Sequence, residues 1–395
     1  MDVWQQKIFF SSLVFNNFIA SNSKTILTMA YQNLKPTKYL HFILPFFNTK
    51  RTKEIFNVNP TVLPPREEAA EIGVYVYDYN STELKEYDLS DVQDCYLFRD
   101  NNNKSWINID GIRKADVENI CNHFGIHPLI AEDILSVGQR PKMDEMDDVM
   151  FCVMNMLYFM PSGAVESEQV SIVLGKDFVI SFQENNKRDV FNSLRDKLKV
   201  ANSKLRQNKV DYLCYMLIDT IVDHYYLVME KLGERIEQLE EEIIRVGNTR
   251  SLARINSLRK ELIVLKRNIN PVRDLVNGFI RSESDLLDER TTKYFKDVYD
   301  HIVQASDLVE NYRDMMINLQ DLYMSKVNLR LNEVMKVMTI VTCLLAPATV
   351  IGGIFGMNFE VIPLTHQKEG FYVAVGMMLL IPVWMIVTFK KRGWF

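Results

Sequence analysis

The sequence predicts an α/β soluble domain that passes into long helices and ends in two C-terminal membrane-spanning helices. Three observations carry this expectation. Two runs, 337–355 and 371–389, are each nineteen residues long without a charge. Residues 210–281 place apolar side chains at helical spacing among dense charges. Upstream, short β-branched and aromatic runs alternate with helical stretches.

The spans come first because hydropathy and length define them together. At about 1.5 Å of rise per residue, each run crosses the roughly 30 Å hydrocarbon core of a bilayer. A buried helix of a soluble protein explains one such run, but poorly explains two in tandem closed by Lys390, Lys391 and Arg392. Lys326, Arg330 and Lys336 precede the first span, whereas the connecting loop holds only Glu360, Lys368, Glu369 and His366. Positive charge marks the inner side, so both termini and everything before Val337 are expected in the cytoplasm. The chain reads as a multi-pass protein of the cell (inner) membrane, with Trp394 and Phe395 as interfacial anchors.

Composition fits a large soluble part on a small membrane part: the 395 residues are 47% hydrophobic and 25% charged. Five cysteines (Cys95, Cys121, Cys152, Cys214, Cys343) are scattered without a Cys-x-x-Cys pair, and read as reduced, buried thiols. A net charge of −5 argues against a nucleic-acid partner and suits a protein that gathers cations. With no phosphate-cradling Gly-x-x-x-x-Gly-Lys-Ser/Thr and no Ser/His/Asp or Cys/His set, an enzyme is not expected. His123 and His127 are four apart, but beside Phe124 and Pro128 they read as structural histidines.

Residues 1–50 form an N-terminal extension expected to be poorly ordered. Asp2 and a lone Lys7 make a weak signal peptide, and export would contradict the C-terminal charges. Residues 51–205 make the α/β domain, with strands expected at 74–77, 105–109, 148–157, 170–174 and 178–182. Helices are expected at 115–124 and 128–135, the second with Pro128 in its first turn. Residues 206–290 read as two long antiparallel helices, 210–246 and 251–281; Glu230, Glu234, Glu237, Glu240, Glu241 and Glu242 cluster at their tip as a solvated face. Residues 291–355 form a stalk helix that continues into the first span. From Tyr294 the chain meets no proline before Pro347 and no glycine before Gly352, and sixty-two helical residues extend roughly 93 Å. An outer loop at 356–370 and the second span with its basic tail at 371–395 complete the chain.

Along the stalk and first span, Asn332, Met335, Met338, Thr342, Ala346, Thr349 and Gly353 recur at steps of three or four. Such a stripe of small and polar residues faces other helices or water rather than lipid. Two helices cannot enclose a water-filled path, so conduction requires several copies around an axis. A membrane-anchored enzyme or signalling module is the reading from another class; a mere anchor needs no Asn or Thr along one face.

The residues also carry a resemblance. Beyond Gly356-Met357-Asn358 in the outer loop, the blocks that match are Trp106-Ile107-Asn108-Ile109, Phe124-Gly125-Ile126-His127-Pro128-Leu129, Glu132-Asp133-Ile134-Leu135 and Gln139-Arg140-Pro141-Lys142. Glu168-Gln169-Val170-Ser171, Tyr294-Phe295, Asp297-Val298-Tyr299-Asp300-His301 and Asn332-Glu333-Val334-Met335-Lys336-Val337 match as well. Over roughly residues 60–395 the chain resembles the CorA family of divalent-cation channels. The resemblance implies a funnel-shaped homopentamer that carries hydrated Mg²⁺, and with it Co²⁺ or Ni²⁺, into the cytoplasm. The long helix would line the pore, with Asp321 as a further inner ring.

Mg²⁺ sheds its waters reluctantly. A selectivity filter of Gly356, Met357 and Asn358 would read the hydration shell through hydrogen bonds, with Glu360 concentrating cations at the outer mouth. Family members often carry Met-Pro-Glu-Leu just beyond; Ile362-Pro363-Leu364-Thr365 stands there in this chain, one carboxylate poorer. Gly356 is also expected to permit a close or unusual backbone at the helix end. Met335 and Met338 would form an apolar constriction able to gate by dewetting. The resemblance further implies regulatory Mg²⁺ between Asp133 and a neighbouring subunit's Asp297, with Glu132 and Asp219 as a second, weaker site. A Zn²⁺ transporter of the same architecture is the alternative.

Overall fold

The computed structural model describes residues 66, 68–99, 103–184, 189–357 and 369–394; the extension at 1–50, Asn358 and Glu360 lie outside the described residues. Among the described residues seven strands form one sheet: β1 (Gly73–Tyr79), β2 (Leu84–Leu89), β3 (Lys104–Asp110), β4 (Lys142–Met146), β5 (Val149–Phe159), β6 (Val165–Leu174) and β7 (Phe178–Gln183). Their spatial order is β2-β1-β3-β7-β6-β5-β4. Only the central β3–β7 pair is parallel, and every other pair is antiparallel.

Both faces of the sheet are covered, which is why its inner strands are apolar without strict alternation. On one face lie α1 (Lys114–Phe124), α2 (Pro128–Leu135) and a 3-10 segment (Val92–Phe98). The other face packs on α3 (Asn192–Lys199), α4 (Val210–Arg245) and α5 (Thr249–Arg281). The Trp-Ile-Asn-Ile block shows the period-two logic of a strand. Ile107 and Ile109 enter the core on the α1 side, while Trp106 enters the core on the α4 side.

On that same α4 side a polar line runs across the parallel pair. Trp106 Nε1 donates to Ser181 Oγ at 2.9 Å, and Ser181 Oγ donates to Asn108 Oδ1 at 2.6 Å. Gln183 Nε2 donates to the same oxygen at 3.0 Å, and Asn108 Nδ2 donates to Asp110 Oδ1 at 3.0 Å. Each polar group is buried and each has a partner, as burial requires.

The expected strands and helices are all present, and two further strands join them. β2 and β4 are the sheet's edges, each paired on one side only and each carrying charges such as Lys85, Glu86, Lys142, Asp144 and Glu145. Charged edges resist pairing with foreign strands and for the same reason lack an apolar signature.

The long helix α6 (Glu289–Phe355) is 67 residues without interruption. Asp288 caps it by accepting from Arg290 N at 2.9 Å, and its own backbone N–H donates to the buried Asp211 at 2.8 Å. Near this end Phe295 stacks on Phe279 of α5, ring centroids 4.7 Å apart. α6 packs against both α4 and α5, more extensively than those two helices pack on each other. Sheet and helices are tied through Tyr225, which donates to the carbonyl of Asn155 at 2.7 Å, and through Asn155, which donates to Asn268 Oδ1 at 2.8 Å. After the undescribed segment, α7 (Gly370–Lys391) returns beside the end of α6.

Candidate functional site

Around the apolar end of α6, burial divides the helix into two faces. Ile340 is buried, and Cys343, Leu344, Pro347, Ala348, Ile351 and Phe355 are half-buried. This seam faces α7, where Ala374 is buried and Met378 Cε would lie 3.7 Å from a Cβ at Gly352. At about 100° per residue, Met335, Met338, Thr342, Ala346, Thr349 and Gly353 lie roughly opposite the seam. All six are exposed, as are Asn332 and Asp321 further in. The open side is mixed, with Val341, Leu345 and Val350 exposed beside these residues, so it is the residue types of the stripe and not exposure that set it apart.

The hydroxyls on that face are polarised in one sense. Thr342 Oγ1 donates to the carbonyl of Met338 at 2.9 Å, and Thr349 Oγ1 donates to that of Leu345 at 3.1 Å. With the hydrogen spent on the helix backbone, each oxygen turns lone pairs outward. Water around a cation points its hydrogens away from the ion, so these oxygens match a hydrated cation.

At the end of α6 the expectation of a close or unusual backbone at Gly356 is met by closeness. Gly356 has φ −90° and ψ −1°, at the bridge edge of the right-handed region and open to any residue. The constraint is closeness: a Cβ there would stand 3.1 Å from the Gly352 carbonyl oxygen, to which Gly356 N donates at 3.0 Å. Met357 is exposed just beyond.

The acidic residues fall into two neighbourhoods. On α4, Asp219 and Asp223 are one turn apart and meet His301 of α6, with one ligand atom from each residue within 4.8 Å of the others. Burial, then the charge of Asp223, raises the pKa of Asp219, and Asp297 of α6 adds to this; the hydrogen bond from Tyr215 and the charge of His301 oppose it. Tyr215 donates to Asp219 Oδ2 at 3.3 Å. Two carboxylates and an imidazole can hold a divalent ion of the cobalt or magnesium size range, the imidazole favouring the transition metal. Asp223 and His301 were not singled out from sequence, although each stands four residues after a chosen acid, Asp219 and Asp297.

Glu132 and Asp133 lie on α2 instead. Glu132 is exposed, and Asp133 is half-buried with its carboxylate engaged by Lys142 and Gln139. α2 packs in the core on one face of the sheet, whereas α4 and α6 belong to the core on the other. His123 stacks on Tyr96 at 3.9 Å, and His127 Nδ1 accepts from Leu129 N at 3.2 Å as the cap of α2. Four cysteines are buried and all five are free, and burial pushes the Cys121 thiol up to about 12.

An α/β head, from which one unbroken helix runs out to pair with a second apolar helix, gives the chain two candidate membrane spans, 289–355 and 370–391. The family model described as CorA-like Mg²⁺ transporter protein matches residues 101–391, and the chain belongs to that family. It is 40% identical to the cobalt/magnesium transport protein CorA of Thermotoga maritima over 323 residues, which covers 81% of this chain and 92% of that one. The complete structure of the CorA magnesium transporter from Methanocaldococcus jannaschii has the same fold, with a TM-score of 0.68 at 20% identity, covering 82% of this chain and 98% of that one. The ZntB cytoplasmic domain from Vibrio parahaemolyticus also shares the fold, with a TM-score of 0.52 at 14% identity, covering 65% of this chain and 99% of that one.

Proposed function

We propose that this chain assembles as a homopentameric channel that carries hydrated Mg²⁺, and with it Co²⁺ or Ni²⁺, into the cytoplasm. The observation that carries this reading is the open face of α6. Five copies of that face around an axis would line a path with the outward lone pairs of Thr342 and Thr349. Met335 and Met338 narrow the path toward the cytoplasm, and Asn332 and Asp321 follow. At the outer end, Gly356, Met357 and Asn358 form the filter, with Glu360 at its mouth. Asn358 presents an uncharged acceptor to the hydration shell, so the ion can leave as well as enter. Membership of the CorA-like family supports the choice of cargo.

The membrane supplies the driving force. A negative interior favours entry of a divalent ion by about 4.6 kcal/mol per 100 mV, twice the single-charge value. Both termini lie in the cytoplasm of a cell (inner) membrane, with Lys390, Lys391 and Arg392 at the inner surface. Intracellular Mg²⁺ closes the channel by bridging Asp133 of one subunit and Asp297 of the next. Glu132 of one subunit, with the Asp219, Asp223 and His301 group of the next, forms a second site. Without the ion, carboxylates about 4 Å apart repel by roughly 1 to 4 kcal/mol and splay the heads.

Flux into proteoliposomes tests the reading. The full chain is expected to pass Mg²⁺, and Asn358→Ala to abolish passage. Transport of Zn²⁺ with exclusion of Mg²⁺ would overturn it in favour of the zinc alternative; passage of neither ion would return the spans to the role of an anchor.

A further inference from the structure

The Asp133 carboxylate is already occupied by a cation of the protein's own. Its Oδ2 accepts from Lys142 Nζ at 2.6 Å, and its Oδ1 accepts from Gln139 Nε2 at 3.1 Å. The same ammonium lies 2.9 Å from Asp144 Oδ2, so Lys142 sits between a carboxylate of α2 and one of its own strand, β4. The backbone under Asp133 is anchored separately: Gln169 Nε2 donates to the carbonyls of Asp133 and Ile134 at 3.3 and 3.4 Å. Loss of Lys142 therefore leaves α2 with a tether. The Lys142 side chain is 38% exposed and that of Asp133 17%, so the pair is open to solvent on one side and its charge can be displaced.

A divalent ion that approaches Asp133 meets this ammonium first. Coordination by Asp133 Oδ2, directly or through one water, requires the Lys142 hydrogen bond to break, and a retained ammonium repels the incoming ion. Both effects act against the metal. We infer that Lys142 is a tethered competitor for divalent cations at Asp133, and that its grip sets the Mg²⁺ concentration at which the regulatory site fills. Family resemblance assigns no such task to the Gln-Arg-Pro-Lys block; the assignment comes from the geometry of α2 and β4. It rests on the reading of Asp133 as a Mg²⁺ ligand.

The test is a MgCl2 titration of the full chain in lipid nanodiscs, read as protection from limited proteolysis, with the half-point as the observable. Lys142→Met keeps the aliphatic stem and is expected to lower the half-point about tenfold, the effect of removing one charged hydrogen bond and one repelling charge. Lys142→Arg keeps the competing charge and stays at or above the wild-type value. Lys142→Gln, which removes the repelling charge but can keep a hydrogen bond to Asp133, is expected to lower the half-point by less and replaces Lys142→Met should the latter fail to fold. Asp133→Asn is expected to raise the half-point of the wild-type background. A Lys142→Met half-point that is unchanged or higher, while Asp133→Asn still acts, removes the competitor role and leaves the Asp133 site standing; a purely structural tether gives that result. An Asp133→Asn half-point equal to wild type removes the underlying site, and the competitor with it.

Discussion

Asp110 ends β3 under the sheet, 4% exposed, and its ionisation should weaken the fold at neutral pH. Burial is the main cause that raises its pKa from 3.8 to about 6, and the charge of Asp189 adds to it; the hydrogen bond from Asn108 and the charge of Arg195 pull the other way. At about 1.36 kcal/mol per pH unit, this displacement corresponds to about 3 kcal/mol. Below pH 3.8 the group is protonated in both states and contributes nothing. Between 3.8 and about 6 the folded chain holds a proton that the unfolded chain has lost, so stability falls as pH rises. Above that window the deficit is constant. Asp110→Asn keeps an acceptor for Asn108 and carries no charge. It should raise stability at pH 7 by about 2 to 3 kcal/mol and leave it nearly unchanged near pH 4. Thermal unfolding of the detergent-solubilised chain between pH 4 and 8 measures this. The gap in Tm between variant and wild type should open as pH rises, to about 5 °C or more. A gap that is constant with pH, or one that widens toward acid, would refute the reasoning.

Two further outcomes are expected. Gly163 turns the β5–β6 hairpin at φ +86°, and a Cβ there would collide with Arg235 Nη1 while that guanidinium lies over Phe159 at 5.0 Å. Gly163→Ala should cost about 1 to 3 kcal/mol in unfolding experiments; Arg235→Ala in the same chain should recover the steric part only, and full recovery would show that backbone strain is absent. On the proposed pore face, Met338→Asp should wet the constriction. Lowering a dewetting barrier by about 1.4 kcal/mol raises passage about tenfold. Proteoliposome flux at closing Mg²⁺ measures it, and unchanged flux would take Met338 off the path.

The parts of this molecule that announce themselves in sequence are those whose physics is local. A span needs only the absence of charge over the width of a bilayer, and a two-sided strand such as β5 needs only apolar residues. The edge strands β2 and β4 were not legible because half of their contacts are to solvent, and their Lys and Glu residues mask the alternation. The exposed face of α6 could be read from spacing alone, since its steps of three and four are those of the helix. The pairing of Asp133 with Lys142 could not, because it joins a helix to a strand across a loop, where no period relates the two positions. The Asp219, Asp223 and His301 group falls between these cases. Its helix spacing was visible, but the approach of α6 to α4 that closes the group is a property of the tertiary packing.

The continuity of α6 makes it a lever. Its 67 residues span about 100 Å, of which about 48 Å lie beyond Tyr323, so a tilt of about 1° there displaces the far end by about 0.8 Å. The helix is held on α4 and α5 from Phe295 as far as Tyr323, so the free arm begins beyond Tyr323. Pro347 is the first residue along the helix that removes a backbone hydrogen bond, and it lies between Met338 and Gly356. Rotation of the head therefore reaches Met338 through an unbroken rod, whereas the segment that carries Gly356 begins beyond the softest joint. If Met338 gates and Gly356 selects, as proposed, the one can swing while the other holds its angle, and opening and ion choice are mechanically separate operations of one helix.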